Sequence, residues 1–160
     1  MILKNQVEWA LHCCAVLSAL PEGKYLSTKA LSEFHGVPKE YLSKALQNLS
    51  QAHLVEGTLG PTGGYRLAQL PKNITFLDIV EAVEGKKNTF KCSEIRGNNP
   101  CLTDKKIPDK PCAIARVMWD ADEAWREKLR SVTLEDLQAT LLVDIAPEDL
   151  QKGQDWLLSY

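Results

Sequence analysis

Between Tyr25 and Leu70 the chain reads YLSTKALSEFHGVPKEYLSKALQNLSQAHLVEGTLGPTGGYRLAQL, and the order of its helix and turn signals leaves few folds open. Ser27 is a good N-cap for a short helix over Lys29–Phe34, and Gly36 marks its C-terminal break. A second helix starts near Pro38 with Tyr41, Leu42, Ala45, Leu46 and Leu49 as its apolar stripe, leaving Lys39, Ser43, Lys44 and Gln47 on the outer face. Two short helices joined by a glycine-containing turn describe a helix-turn-helix, although a plain three-helix core shows the same pattern. The next segment narrows the choice. VEGTL and YRLAQ read as strands around a Gly-Pro-Thr-Gly-Gly tip, a hairpin of the kind called a wing. A winged helix lays its second helix in the major groove and sets the hairpin beside the backbone, where glycine permits close approach and Arg66 can reach phosphate. The candidate DNA-facing residues are therefore Lys39, Tyr41, Ser43, Lys44, Gln47 and Arg66. Ser43, Lys44 and Gln47 are the preferred groove residues, and Tyr41 is divided between core and phosphate.

The remaining segments fit a mostly α fold with a small β-hairpin wing. A first helix over about Lys4–Leu20 carries Val7, Leu11, Cys14, Ala15 and Ser18 on one stripe, widened by Ala10 and Leu17. After the wing, Thr75 is a possible cap for a helix with Phe76, Ile79, Val80 and Val83 at helical spacing. Residues 86–111 are rich in Lys, Asn, Pro and Asp and read as a long loop, and loops of that length inside compact domains are usually functional or disordered. From Cys112 to about Ser131 a helix carries Ile114, Val117, Met118, Ala121, Trp125 and Leu129 close to a heptad seam, which predicts a twofold dimer. A short capped helix over Thr133–Leu142 and a terminal amphipathic segment complete the chain. The expected organisation is a winged helix-turn-helix over residues 1–84, a cysteine-bearing loop over 85–111, and a long dimerisation helix with a C-terminal helical segment over 112–160.

Composition excludes some classes and leaves others open. The chain is 44% hydrophobic and 25% charged, and no run approaches the roughly 18 apolar residues of a membrane helix. The N-terminus lacks the features of a signal peptide, so the expected compartment is the cytoplasm. Residues 1–70 carry six Lys or Arg against five acids and residues 71–160 thirteen against sixteen, so charge neither establishes nor excludes DNA binding. No nucleotide loop or nucleophile constellation suggests an enzyme. Five cysteines are an odd count for a disulfide framework, which leaves core residue, reactive thiol or metal ligand. Cys13 and Cys14 sit on or beside the buried stripe and read as small core hydrophobes. Glu8 and His12 lie one turn apart on one helix face, as a surface pair or a ligand pair. Trp9 points to another face and reads as packing, His35 as a helix C-terminal cap, and His53 as structural.

The phrases GPTGGYRLA, ITFLDIVEAVEG, FKCSEIR and CAIARVMW occur in this order. Together they resemble the Rrf-type winged-helix regulators, the family of IscR and NsrR, over roughly residues 1–142. The resemblance implies a homodimeric transcription factor that binds double-stranded DNA at a palindromic operator and often senses through an iron–sulfur cluster. The commonest pattern in that family has three evenly and closely spaced cysteines. Here eight residues separate Cys92 from Cys101 and ten separate Cys101 from Cys112. VEWALHCC near the start is instead similar to the RsrR-like redox-sensing branch, in which two cysteines hold a 2Fe–2S cluster together with a glutamate and a histidine of the first helix. Carried over position by position, the implied ligands are Glu8, His12, Cys92 and Cys112, with Cys101 left as an exposed loop thiol. The donor set is chemically reasonable, because replacing a thiolate by imidazole raises the reduction potential of a 2Fe–2S site. The alternatives are a cluster-free regulator acting through thiols, zinc or a partner protein and, more remotely, a small electron-transfer protein.

Overall fold

The computed structural model describes residues 2–102 and 109–160, so the latter part of the expected 86–111 loop, residues 103–108, lies outside the described residues. Helices α1 (Asn5–Ser18), α2 (Thr28–His35) and α3 (Lys39–Gln51) form the first layer. The Ser27 hydroxyl accepts the Ala30 N–H at 3.0 Å to start α2, and Gly36, in the left-handed region at φ 63°, ends it by donating to the Ser32 carbonyl. Leu42, Ala45, Leu46 and Leu49 of α3 are fully buried and share one core with Val7, Ala10, Cys13, Cys14 and Leu17 of α1. The buried face of α1 is thus rotated from the expected stripe: Cys13 joins the core, while Leu11, Ala15 and Ser18 are only half-buried. The cause is that α1 is flanked by α3 and α4 on one side and by α6 on another, so no single face is its inside.

Strands β1 (Val55–Thr58) and β2 (Gly64–Leu67) pair antiparallel with Glu56 opposite Arg66 and Gly57 opposite Tyr65. Leu26 extends the hairpin by exchanging backbone hydrogen bonds with Tyr65 at 2.8 and 3.0 Å. This contact explains Gly64, where a Cβ would fall 2.2 Å from the Leu26 carbonyl oxygen.

Helices α4 (Phe76–Glu84) and α6 (Leu134–Asp144) start side by side. Thr75 with Asp78 and Thr133 with Asp136 form two capping boxes of the same T-x-x-D type. Thr75 and Thr133 face each other across an isolated bridge, where Phe76 N–H donates to Val132 and Leu134 N–H to Ile74, both at 2.9 Å. Leu134 is fully buried and the Gln138 amide donates to the Ser18 carbonyl at 2.5 Å, so α6 returns to the winged domain. Helix α7 (Pro147–Leu158) also docks there, with Leu157 buried and Trp156 5.5 Å from the Phe34 ring of α2.

Helix α5 (Ala113–Arg130) divides the expected heptad stripe in two. Trp125 and Leu129 pack against the chain's own core, whereas Ile114 and Val117 are 69% and 67% exposed. The lower half is fixed by Arg126, whose guanidinium donates to Glu81 of α4 at 2.5 Å, to the Lys87 carbonyl at 2.5 Å and to Asp122 at 3.2 Å. Burial works against the charge on Asp122, but the neighbouring Thr89 and the Arg126 guanidinium outweigh it and hold the carboxyl below its usual range. Among the described residues no helix is long and apolar enough to cross a membrane.

Candidate functional site

One side of the molecule is shaped as a nucleic-acid face. With Leu42, Ala45, Leu46 and Leu49 turned inward, helical geometry leaves Lys39, Lys44 and Gln47 exposed and Ser43 half-buried beside them. Ser43, Lys44 and Gln47 therefore share one face at i, i+1 and i+4. Tyr41 is 61% exposed, and its ring lies 6.5 Å from that of Trp9 on α1. Trp9 is half-buried and so links α1 to the exposed edge of α3 through an aromatic contact, where the sequence suggested core packing.

Arg66, the wing residue expected to reach phosphate, has partners within the hairpin. It sits in β2 opposite Glu56, pairs with that carboxylate at 2.6 Å and lies 4.8 Å over the Tyr25 ring, at the root of the wing. The tip itself is Leu59–Gly63, with Leu59 98% exposed.

A second site lies on the outer face of α1. Glu8 and His12 are both exposed, and with Leu11, Phe76, Leu137 and Leu141 they line a groove of about 400 Å³ between α1, α4 and α6. The His12 ring is 5.7 Å from that of His35, whose Nε2 is buried without a hydrogen-bond partner among the described residues. Burial, and then the neighbouring His12, lower the His35 pKa. His35 is therefore not the helix cap expected from its position, because Gly36 closes α2 through its own N–H and the imidazole turns inward against Phe34 and His12. His53 has a φ of 57° and its carbonyl accepts from the Gln69 amide at 2.9 Å, a turn role.

The cysteines divide into two groups. Cys13 and Cys14 are fully buried, and desolvation pushes the Cys13 thiol up to about 12 and Cys14 higher still. Both are inert packing groups at neutral pH. Cys92 and Cys112 are half-buried and Cys101 is exposed. Arg96 joins the two loop ends: its guanidinium pairs with Glu94 and donates to the Lys110 carbonyl at 3.0 Å, and Cys112 and Cys92 lie near enough to act on its charge. Arg96 closes the FKCSEIR phrase, but its role is not readable there, because its partner is a backbone carbonyl fourteen residues away and no side-chain pattern announces such a bond. Among the described residues of one chain, no three His, Cys, Asp or Glu side chains converge as a metal ion needs. The structure places Glu8 beside His12, and brings neither to Cys92 or Cys112 within one chain.

An exposed polar face on the second helix of a helix-turn-helix, with a glycine-built wing beside it, defines a winged-helix DNA-binding regulator. The family model described as Rrf2, iron-dependent transcriptional regulator, matches residues 3–140, and the chain belongs to that family. It is 33% identical to protein rrf2 of Nitratidesulfovibrio vulgaris over 70% of each chain. It is 29% identical to the HTH-type transcriptional repressor NsrR of Streptomyces coelicolor, over 87% of this chain and 89% of that one. In structure it is similar to CymR, the global cysteine regulator of B. subtilis, with a TM-score of 0.68 and 23% identity over 88% of this chain and 98% of that one. The resemblance carried by the wing and loop phrases thus holds at the level of the family, whose members are transcriptional regulators and not enzymes.

Proposed function

We propose that this DNA-binding regulator works as a homodimer on a palindromic operator and responds to redox state through a 2Fe–2S cluster held by Glu8, His12, Cys92 and Cys112. The observation that carries the reading is the division of the ligand set. An oxygen donor and a nitrogen donor stand together on α1, two half-buried thiols sit beside Arg96, and within one chain the two pairs remain apart. Each pair supplies the two protein ligands that one iron of such a cluster requires, so the donor chemistry fits the group. Pairing a helix of one subunit with the loop of its partner would complete the set, and the apolar upper half of α5 offers a surface for that pairing. The description of the family as iron-dependent supports the same reading.

When bound, such a cluster supplies a one-electron change of charge at the subunit boundary. The chain's own residues carry the consequence. Glu8 and His12 project from α1, whose opposite side is packed with α3 in a single core, and Trp9 of α1 meets Tyr41 of α3. A shift of α1 therefore moves the recognition helix, and a dimer reads two half-sites only when its recognition helices lie about 34 Å apart or at multiples of it. Coupling of this kind is typically about 1–3 kcal/mol, roughly 5- to 150-fold in affinity.

The deciding experiment is the visible absorption of anaerobically purified protein with iron and acid-labile sulfide counts. Colour that is lost in Glu8→Ala and His12→Ala supports the ligand set. Zinc without sulfide, or colourless metal-free protein, transfers the function to a zinc site or to thiols. Operator binding measured with oxidised, reduced and cluster-free protein then tests the switch, and equal affinities in the three states end it.

A further inference from the structure

We propose that Arg96 is the positioning residue that makes Cys92 and Cys112 a single two-thiol unit, an inference that rests on the ligand set proposed for the cluster. The segment carrying Cys92 turns sharply at Glu94, a non-glycine residue with φ 54°, into a single 3-10 turn over Ile95–Asn98. That turn brings Arg96 back onto Glu94, where Nε and Nη2 both meet the carboxylate, the latter at 2.8 Å. Nη2 also crosses to the Lys110 carbonyl at 3.0 Å, two residues before Cys112. One planar guanidinium therefore ties the Cys92 segment to the Cys112 segment, close enough for each thiol to act on its charge. Lysine cannot copy this arrangement, because a point charge on a flexible stem does not hold a bidentate carboxylate and a third acceptor in one plane. Groups of this kind orient metal ligands without touching the metal, and their charge tunes the potential of the site.

The test uses the full chain, reduced and freed of metal, with phenylarsine oxide as the probe. This reagent condenses with two adjacent thiols, forming two As–S bonds and releasing one water. Wild-type protein is expected to take up one arsenical bridging Cys92 and Cys112, located by peptide mass, and Cys101→Ser to do so equally well. Arg96→Gln is expected to be captured at least tenfold more slowly, with Arg96→Lys between the two. In cluster-loaded protein Arg96→Gln should show a lower midpoint potential, since a positive charge that favours the added electron is gone. Capture of Arg96→Gln as fast as wild type, or no bridging of this pair in wild type, overturns the proposal. If Arg96→Gln fails to fold by thermal unfolding, Arg96→Lys carries the same comparison. Colourless protein whose capture still depends on Arg96 removes the cluster reading and leaves the clamp standing. Coloured protein whose capture and potential ignore Arg96 removes the clamp alone.

Discussion

Helices α1 and α5 carry apolar residues at similar spacing and meet opposite fates. In α1, Val7, Ala10, Cys13, Cys14 and Leu17 are buried by the chain itself, and the polar pair Glu8 and His12 is left on the outside. In α5 the chain covers the lower half, through Trp125, Leu129 and the Arg126 network, and above it buries Ala115 while leaving Ile114 and Val117 mostly exposed and Met118 partly so. The two helices teach that a periodic apolar stripe records that a face is to be covered and says nothing of which chain covers it. They also separate two kinds of exposed residue. On α1 the outward groups are ligand-type donors; on α5 they are groups that water solvates poorly.

The largest effect is expected where α5 is anchored to the rest of the chain. Arg126, Glu81 and Asp122 are all at least four-fifths buried as side chains, so Arg126→Ala leaves Asp122 without its counter-charge and Glu81 with only the exposed Lys86 ammonium at 3.7 Å. Breaking a buried pair from one side costs about 3–5 kcal/mol, and chemical denaturation should show a loss of that order. Arg126→Lys should recover part of it. Next in size is the face that α5 leaves open. Val117→Asp should change the stability of the folded chain by no more than about 0.5 kcal/mol, as expected for a surface substitution. The same change places a charge in the proposed dimer interface twice, and association should weaken by at least ~100-fold, about 2.7 kcal/mol, in sedimentation analysis. Unchanged association would break the comparison, because the exposed stripe would then have no second chain to meet.

Local signals were the legible part of the sequence. Ser27, Gly36, Thr75 and Thr133 act through hydrogen bonds within three to four residues of themselves, and each helix or turn they mark is present. The wing was legible for the same reason, since its glycines and strand pairing are contiguous. The misread positions depend on partners far along the chain. The expected α1 stripe of Leu11, Ala15 and Ser18 is only half-buried because α6 and α4 both reach α1, and His35 turns inward because His12, twenty-three residues earlier, stands beside it. The pairing of Arg66 with Glu56 across the hairpin likewise follows from strand register and not from any local pattern. Of the candidate ligands, the Glu8–His12 pair was legible from helical spacing, whereas the relation of Cys92 to Cys112 depends on a bond from Arg96 to a backbone carbonyl.

An effect seen only at alkaline pH separates the cysteines of α1 from those of the loop. The Cys13 thiol is raised from an ordinary value of 9.0 to about 12 in the folded chain. A folded-state pKa above the unfolded one means that the native chain keeps its proton where the unfolded chain loses it. The stability Cys13 contributes is therefore whole below pH 9 and falls progressively from 9 towards 12, by about 1.4 kcal/mol per pH unit within that window. Cys13→Ala should make this alkaline limb shallower without abolishing it, since the Cys14 thiol is raised further still, and Cys101→Ser should leave it unchanged. In native protein at pH 8, iodoacetamide should reach Cys101 first and leave Cys13 and Cys14 unmodified until unfolding.

The smallest expected effect tests the DNA face, by setting a cation of α3 against the cation of the wing. Lys44 is exposed on the face that carries Ser43 and Gln47, with no ion pair among the described residues, so its contact with phosphate would release a counterion. Lys44→Gln should weaken operator binding severalfold and reduce the slope of log affinity against log salt by about 0.9. Arg66 already answers Glu56 at 2.6 Å and the Tyr25 ring, and much of its charge is spent within the wing. Arg66→Gln should therefore alter the salt slope by less than Lys44→Gln does. Glu56→Gln, which releases the guanidinium from its partner, should strengthen binding and steepen the slope. If Arg66→Gln instead produces the larger loss, the guanidinium exchanges Glu56 for phosphate on binding, and the root of the wing joins α3 as part of the DNA-contacting surface.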